Sequence, residues 1–386
     1  MSTTIMIRAE HAAGERRVSA TPDSVKRLVA AGATVLVASG AGAGALLTDA
    51  QYEAVGARIV APADAAGNAP QADVHFHVRP LEPSEVSALP AGAVTLGTAD
   101  PFTHPDSVAV ARDRGVTMLA LDLLPRISRA QSMDVLSSQS LVAGYRLVTM
   151  AADAFGRMFP MSMTAAGTLA PARVLVLGAG VAGLQAIATA KRLGGVVSAN
   201  DVRAASADEV RSVGGTFIDL DLETADAAGG YAKALGEDRA RRQQQLLAPH
   251  LAASDIVLTT AAVPGRAAPR LVTAQMLAGM RPGSVLVDLA AESGGNIEGS
   301  VAGERRAVEV AGGAITVIGA RNIQSDLPVD ASKLLAMNYA NYLTPLLADG
   351  TLTLDFADEL VAGCALTHEG AVVNPRIAEL LEGASR

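Results

Sequence analysis

Short apolar runs and helix-spaced apolar stripes take turns along this chain. Residues 3 to 9 (TTIMIRA) read as a first strand, and Glu10 to Arg17 as a polar turn. Thr21-Pro22-Asp23 opens a helix with proline at an early position, Val25, Leu28 and Val29 form its stripe, and Gly32 closes it. Thr34–Ala38 is the next strand. Asp73–Val78 is another, placing His75 and His77 on one face, and strand packing is the role read for both. Gly92–Leu96 and Val116–Leu121 follow, with a helix over Asp106–Arg114 between them, so the first 120 residues read as one α/β domain. Gly40-Ala-Gly-Ala-Gly44 has the spacing G-x-G-x-G and reads as a flexible loop before a helix that starts at Thr48 or Asp49.

A helix with Leu141, Tyr145, Val148, Ala152 and Phe155 at helical spacing is expected to lead directly into Arg173-Val-Leu-Val-Leu177. That run suits a buried parallel strand. Gly178, Gly180 and Gly183 then give G-x-G-x-x-G. The first glycine permits the tight turn, the second lets a pyrophosphate approach the backbone, and the third lets helix and strand lie close. Leu184, Ile187, Ala188 and Leu193 fall on one face of the following helix, and Gly194-Gly195 ends it. Asp201 stands at the end of the next strand, 18 residues after Gly183. An acid there accepts hydrogen bonds from an adenosine ribose and repels a 2′-phosphate, which favours NAD(H); Arg203 pulls the other way.

Further strands are read at Thr216–Ile218, Asp255–Thr260, Val285–Asp288 and Ala314–Ile318, for a sheet of about six. Thr224–Gly236 is small and mobile in character, Asp238–Ala252 is a charged helix, and Pro264-Gly265-Arg266 turns the chain. Asp330-Ala-Ser332 caps a last long helix carrying Leu335, Tyr339, Tyr342, Leu343 and Leu346, which returns the chain to the first domain.

Composition narrows the function. The 386 residues carry a net charge of −8, which argues against nucleic acid, and aromatics are only 3%, so small residues pack helices onto sheets. Cys364 is the only cysteine, excluding an internal disulfide and a cysteine-based metal site. No metal site is expected. No signal peptide and no bilayer-spanning run is read.

After the first domain's last strand comes Leu124-Pro-Arg-Ile-Ser-Arg-Ala-Gln-Ser-Met-Asp-Val-Leu-Ser137, at the end of the sheet where open α/β folds bind ligands. Arg126, Arg129, Gln131, Asp134 and Ser137 could hold a polar ligand. On residues alone, a solvated loop capping the next helix through Ser137 or Ser138 stands beside that reading.

Arg126–Ser137, Gly178–Gln185, Asp201-Val-Arg203, Ala228–Lys233, Thr259-Thr260 with Pro264–Pro269, and Gly283–Asn296 together resemble one family. It is the soluble NAD(H)-binding subunit, or domain I, of proton-translocating NAD(P)+ transhydrogenase, related to alanine dehydrogenase. The resemblance implies two Rossmann-like doubly wound domains joined by long helices, with the cofactor in the cleft between them. The expected division is 1–137 with 330–386, and 138–329. It implies Arg126, Ile127, Ser128, Gln131, Ser132, Met133, Asp134 and Ser137 around the nicotinamide half of the cofactor, with Arg126, Gln131, Asp134 and Ser137 in catalytic roles. Gly178, Ala179, Gly180, Val181 and Gly183 would lie under the pyrophosphate, and Asp201, Val202 and Arg203 at the ribose. Gly230 and Tyr231 would sit on a mobile loop over the nucleotide, with Gln243 and Ala262 on the adenine side.

The same resemblance implies hydride transfer between NADH here and NADP(H) on a partner subunit, coupled to proton movement in membrane-spanning subunits. It implies a homodimer, in the cytoplasm and peripherally attached to the inner membrane through those subunits. Two other readings stand beside it. One is an alanine dehydrogenase, weakened because Arg79 stands where that family has lysine and His104 sits in a different local sequence. The other is a regulatory NAD(H)-binding module.

Overall fold

The computed structural model describes residues 2–61, 72–203, 205–221, 237–262 and 266–384. The Thr224–Gly236 segment, with Gly230 and Tyr231, and the Pro264-Gly265 turn lie outside the described residues. The chain divides into two compact units, residues 1–139 with 324–386, and residues 140–323.

In chain order the first unit's strands are β1 (Thr4–Ile7), β2 (Thr34–Ala38), β3 (Arg58–Val60), β4 (Val74–Phe76), β5 (Val94–Gly97) and β6 (Thr117–Ala120). The second holds the short pair β7 (Ser162–Thr164) and β8 (Gly167–Leu169), then β9 (Arg173–Leu177), β10 (Val196–Asn200) and β11 (Thr216–Phe217). It continues with β12 (Ile256–Thr259), β13 (Val285–Asp288), β14 (Arg305–Val310) and β15 (Gly313–Gly319). The chain then returns to the first unit with β16 (Leu347–Ala348), β17 (Thr351–Leu352), β18 (Ala365–His368) and β19 (Ala371–Val372).

The first unit's main sheet runs β19-β18-β6-β5-β4-β1-β2-β3, and the second's runs β11-β10-β9-β12-β13-β15-β14. Counting only the parallel strands, both have the order 3-2-1-4-5-6 of a doubly wound sheet. Each sheet has a topological switch point, between β1 and β4 in one and between β9 and β12 in the other.

Parallel strands are covered on both faces, so successive residues enter different cores. In the second unit Val174, Val176, Ile256, Leu258, Val285 and Val287 fill one core; Leu175, Leu177, Val257, Leu286, Ile315 and Val317 fill the other. In the first unit Ile5, Ile7, Val35, Val37, Phe76 and Leu96 pack on one face under Tyr339 and Leu343 of the Pro328–Leu343 helix. Each such side chain contributes about 1.5–3 kcal/mol through burial.

Several expectations change. The second sheet has seven strands rather than about six, because β14 pairs antiparallel with β15. The β7–β8 hairpin stands between the Val135–Ala154 helix and β9, so that helix does not lead directly into the strand. Leu141 and Tyr145 are exposed, and Val142, Ala143, Leu147, Val148 and Ala151 form the helix's buried face. Gly144 explains that rotation: a Cβ there would lie 2.2 Å from the Ala182 carbonyl oxygen, so the helix is seated through its smallest residue. Leu193 is likewise exposed, and the Val181–Arg192 helix packs through Ala182, Gly183, Ala186, Ile187 and Ala190. Gly40–Gly44 is a closely packed turn: Cβ atoms on Gly42 and Gly44 would come within 2.8 Å of Tyr52 and 2.6 Å of the Arg16 carbonyl oxygen. The segment after residue 350, which carries no strand expectation from the sequence, adds β18 to the first sheet by antiparallel pairing with β6.

His75 and His77 are both 1% exposed. One His75 ring nitrogen, Nε2, pairs with the Ala72 carbonyl (3.2 Å), and His77 Nδ1 with the Arg79 carbonyl (2.7 Å). No group of three or more metal-binding side chains occurs among the described residues. Burial, with the Arg8 charge adding to it, pushes both imidazoles down to about 4.

This packing can be tested at two places. Gly144→Ala gains helix propensity of up to about 1 kcal/mol, but meets backbone that cannot rotate away. Net destabilisation of about 1–3 kcal/mol is expected from the forced shift, read from the denaturant midpoint. A more stable variant would remove the close-packing account. The histidines predict a pH effect. Their folded pKa lies below the unfolded value, so their stabilising effect is present above pH 6.5 and lost as pH falls toward 4. The loss is about 3 kcal/mol each at pH 4. A His75→Gln/His77→Gln variant should show a visibly flatter melting-temperature profile over that window; an unchanged slope would refute the assignment.

Candidate nucleotide-binding site

In the second unit the G-x-G-x-x-G turn joins β9 to the Val181–Arg192 helix at the switch point. Its three glycines have three different local reasons. Gly178 has φ +99°, and a Cβ would meet Thr260 Oγ1 at 2.7 Å. At Gly183 a Cβ would lie 1.9 Å from the Gly178 carbonyl oxygen, so helix and turn touch through bare backbone. Nothing lies within 4 Å of a Cβ built on Gly180, the helix N-cap. The turn is therefore closed by its outer glycines and open at the middle one, as an approaching pyrophosphate requires. Val181, in the first helical turn, is exposed, and the amide groups there have no partners inside the helix.

Asp201 follows β10 and is tied to the same turn. Its Oδ2 accepts from the Ala179 amide at 2.7 Å, and its Oδ1 from the Arg203 amide at 2.9 Å and Arg203 Nε at 3.0 Å. Arg203 Nη2 also donates to Asp201 Oδ2 (3.2 Å) and to the Ala179 carbonyl (3.0 Å). These bonds use the carboxylate's approximately four acceptor positions. The sequence placed Asp201 and Arg203 as competing signals; the structure makes them one ion pair. Val202 is half-buried beside them, Gln243 is buried in the Glu237–Ala252 helix, and Ala262 is exposed.

Thr259, Asp288 and Asn296, all fully buried, hold the loops after β12 and β13. Asp288 Oδ1 accepts from Thr259 Oγ1 and the Ala290 amide at 3.0 Å each, and Oδ2 from the Ile297 amide at 3.1 Å. Asn296 accepts from the Ala261 amide (3.1 Å) and donates to the Ala261 and Pro269 carbonyls (2.8 Å each). No separate role is read for these residues from sequence, although a polar residue closing an apolar strand was the available signal.

In the first unit, the polar segment after β6 is a 3-10 turn, Ser128–Met133, running into the Val135–Ala154 helix. Ala130 and Met133 are its apolar feet in the core; Arg126, Ser128, Gln131 and Ser132 are exposed, and Ile127 is half-buried. Met133 thus serves packing here. Asp134 caps the helix: its Oδ1 accepts from the Ser137 amide (2.9 Å) and its Oδ2 from Ser137 Oγ (2.6 Å). The cap is Asp134, in place of Ser137 or Ser138. Arg129 is turned away to Asp358, donating from Nη1 at 2.9 Å.

Behind that turn, Arg17 donates from Nε and Nη2 to Glu15 at 2.8 and 2.7 Å, and from Nη1 to Gln139 at 2.9 Å. Burial pushes the Glu15 carboxyl up, but the Arg17 hydrogen bond and charge, with Ser325, hold it down at about 2. A depression of about 250 Å³ lined by Arg173, Ser198 and His250 lies at the amino ends of β9 and β10, the opposite end from Gly178. It contains none of the expected site residues.

Two family models match consecutive parts of the chain: "Alanine dehydrogenase/PNT, N-terminal domain" over residues 6–143 and "Alanine dehydrogenase/PNT, C-terminal domain" over residues 147–375. The first part of the NAD(P) transhydrogenase alpha subunit of Rhodospirillum rubrum is 47% identical, over 97% of this chain and 98% of that protein. A crystal structure of transhydrogenase from Sinorhizobium meliloti superposes with a TM-score of 0.83 at 44% identity, covering 97% of this chain and 99% of that one. An L-alanine dehydrogenase structure shares the fold, with a TM-score of 0.78 at 23% identity over 99% of both chains. Two doubly wound sheets, a G-x-G-x-x-G turn at one switch point and these matches lead to one assignment: the chain belongs to the alanine dehydrogenase/PNT family, alongside the alpha subunits of NAD(P) transhydrogenase.

Proposed function

We propose that this chain is the NAD(H)-binding subunit of a proton-translocating NAD(P)+ transhydrogenase. It passes hydride between its own nucleotide and NADP(H) held by a partner subunit, while proton movement belongs to membrane-spanning subunits. The observation that carries the reading is the turn open only at Gly180, with Asp201 at the next strand end. The donor set fits a dinucleotide: bare backbone and helix amides for the pyrophosphate, and the Asp201–Arg203 pair for the ribose.

A bound nicotinamide supplies the hydride-carrying carbon, and no protein acid, base or nucleophile is needed for that transfer. The chain's own residues bind, orient and exclude water. Arg126, Gln131, Asp134 and Ser137 orient the nicotinamide half, with Ile127, Ser128 and Ser132 beside it. Because Asp201 is saturated in the described structure, a ribose diol enters by sharing or displacing Arg203 bonds. Gln243 and Ala262 would flank the adenine, with Gly230 and Tyr231 closing over it. Exposed Met158, Met161, Met163 and Leu169 around the β7–β8 hairpin support a homodimer. The subunit would attach peripherally, on the cytoplasmic side, through its partner subunits; no helix among the described residues is long and apolar enough to cross a membrane.

NADH should bind in preference to NADPH. Charged hydrogen bonds contribute about 1.5–3 kcal/mol, so Asp201→Ala should weaken NADH roughly 10- to 100-fold in a nucleotide-fluorescence titration. Gly180→Ala should bind poorly while melting like the parent, whereas Gly183→Ala should lose stability even without nucleotide. Equal affinity of the parent for both nucleotides would refute the site.

The chain alone should bind NAD(H) and turn nothing over. Adding an isolated NADP(H)-binding transhydrogenase subunit should start hydride exchange, followed with a nicotinamide analogue of distinct absorbance. Exchange that stays at the level of the chain alone would sink the proposal and favour a regulatory module. Steady NADH formation from L-alanine and NAD+ would favour a dehydrogenase instead.

A further inference from the structure

Two asparagines one turn apart on the Pro328–Leu343 helix converge on a single backbone atom. Asn338 Nδ2 donates to the Ser132 carbonyl at 2.9 Å, and Asn341 Nδ2 donates to the same oxygen at 2.7 Å. A carbonyl has two lone pairs, so both are filled. The other end of each carboxamide is also committed. Asn338 Oδ1 accepts from Ser138 Oγ at 2.6 Å, and Asn341 Oδ1 accepts from Arg27 Nη1. Neither amide can flip without placing oxygen against oxygen at Ser132, and that fixes both orientations.

The atom so held is in the middle of the polar turn. Ser132 follows Gln131 and precedes Met133, whose side chain is anchored in the core. With Met133 held by packing and the Ser132–Met133 peptide held by two donors, Gln131 and Asp134 flank a fixed peptide plane. An exposed 3-10 turn of six residues has little internal stiffness, because its hydrogen bonds are few and poorly aligned. The stiffness comes from the helix behind it.

We propose that Asn338 and Asn341 are positioning residues for hydride transfer: by saturating the Ser132 carbonyl they set where the Gln131–Asp134 turn presents its polar groups to the nicotinamide. This rests on the functional reading above. It adds that the rate, more than nucleotide affinity, depends on two side chains that do not touch the nucleotide. A displacement of about 1 Å at a reacting centre can cost roughly 100-fold in rate.

Asn341 is the residue to change first, since it is half-buried and its loss leaves Arg27 at the surface. Asn341→Asp keeps the shape and the Arg27 contact but turns a carboxylate oxygen toward the Ser132 carbonyl. Exchange with the NADP(H)-binding subunit should slow at least tenfold at pH 8, with NADH affinity within about twofold and an unchanged melting temperature. Asn341→Ala should likewise be slow, and Lys333→Ala, on the exposed side of the same helix, should match the parent. Parent-like transfer by a folded Asn341→Asp, or a loss that tracks melting alone, overturns the proposal. If the parent itself shows no exchange, the functional reading fails separately. The positioning claim is then decided by amide exchange over residues 128–134, which Asn341→Asp should accelerate at least tenfold and which an unchanged protection pattern would contradict.

Discussion

A parallel sheet has to be buried on both faces, and in each unit that requirement organises what surrounds it. Neighbouring strands that run parallel cannot be joined by hairpins; each connection crosses over through covering structure. The six parallel strands of each sheet point the same way, and their carboxyl ends gather the loops at one edge. The 3-2-1-4-5-6 order divides those loops at a switch point, leaving a place where backbone can meet a ligand. The Gly178–Gly183 turn occupies that place in the second unit. The polar turn at Ser128–Met133 follows the carboxyl end of β6 in the first.

Close approach is the recurring means of precision. Gly183 sits on the Gly178 carbonyl, and Gly144 sits on the Ala182 carbonyl. In neither place is there room for a methyl group. Both contacts bring a helix against backbone, so the Val181–Arg192 helix is located from two sides by residues without side chains. A chain in which alanine and glycine are abundant and aromatics scarce achieves order through contact distance instead of side-chain bulk.

Polar groups are handled by the same economy. Asp288 and Asn296 satisfy loop amides and carbonyls at the ends of β12 and β13. Asp134 closes the start of the Val135–Ala154 helix, and the Asn338–Asn341 pair closes the turn before it. Glu15 and Arg17 are paired twice over, and Arg17 also donates to Gln139 of that helix. Each of these costs desolvation and returns it as a defined geometry, since a buried polar group left without a partner is worth about 1–3 kcal/mol of instability.

By itself the sequence did not determine β3, the β7–β8 hairpin or β14; it determined most of the parallel strands with helices between them, and the glycine turn with Asp201 after the following strand. These are local signals: period, turn chemistry and short spacings are carried by neighbouring residues. Tertiary structure alone decided which face of a helix is buried, and Leu141, Tyr145 and Leu193 were misplaced because Gly144 and the small face of Val181–Arg192 outrank larger residues at a tight crossing. It decided that Asp201 and Arg203 are partners, since two residues of opposite sign at i and i+2 pair only when the turn brings them round. It also decided what holds the polar turn. Ser132 and Asn341 are 209 residues apart in the chain, and no local pattern connects a carbonyl to a donor at that distance.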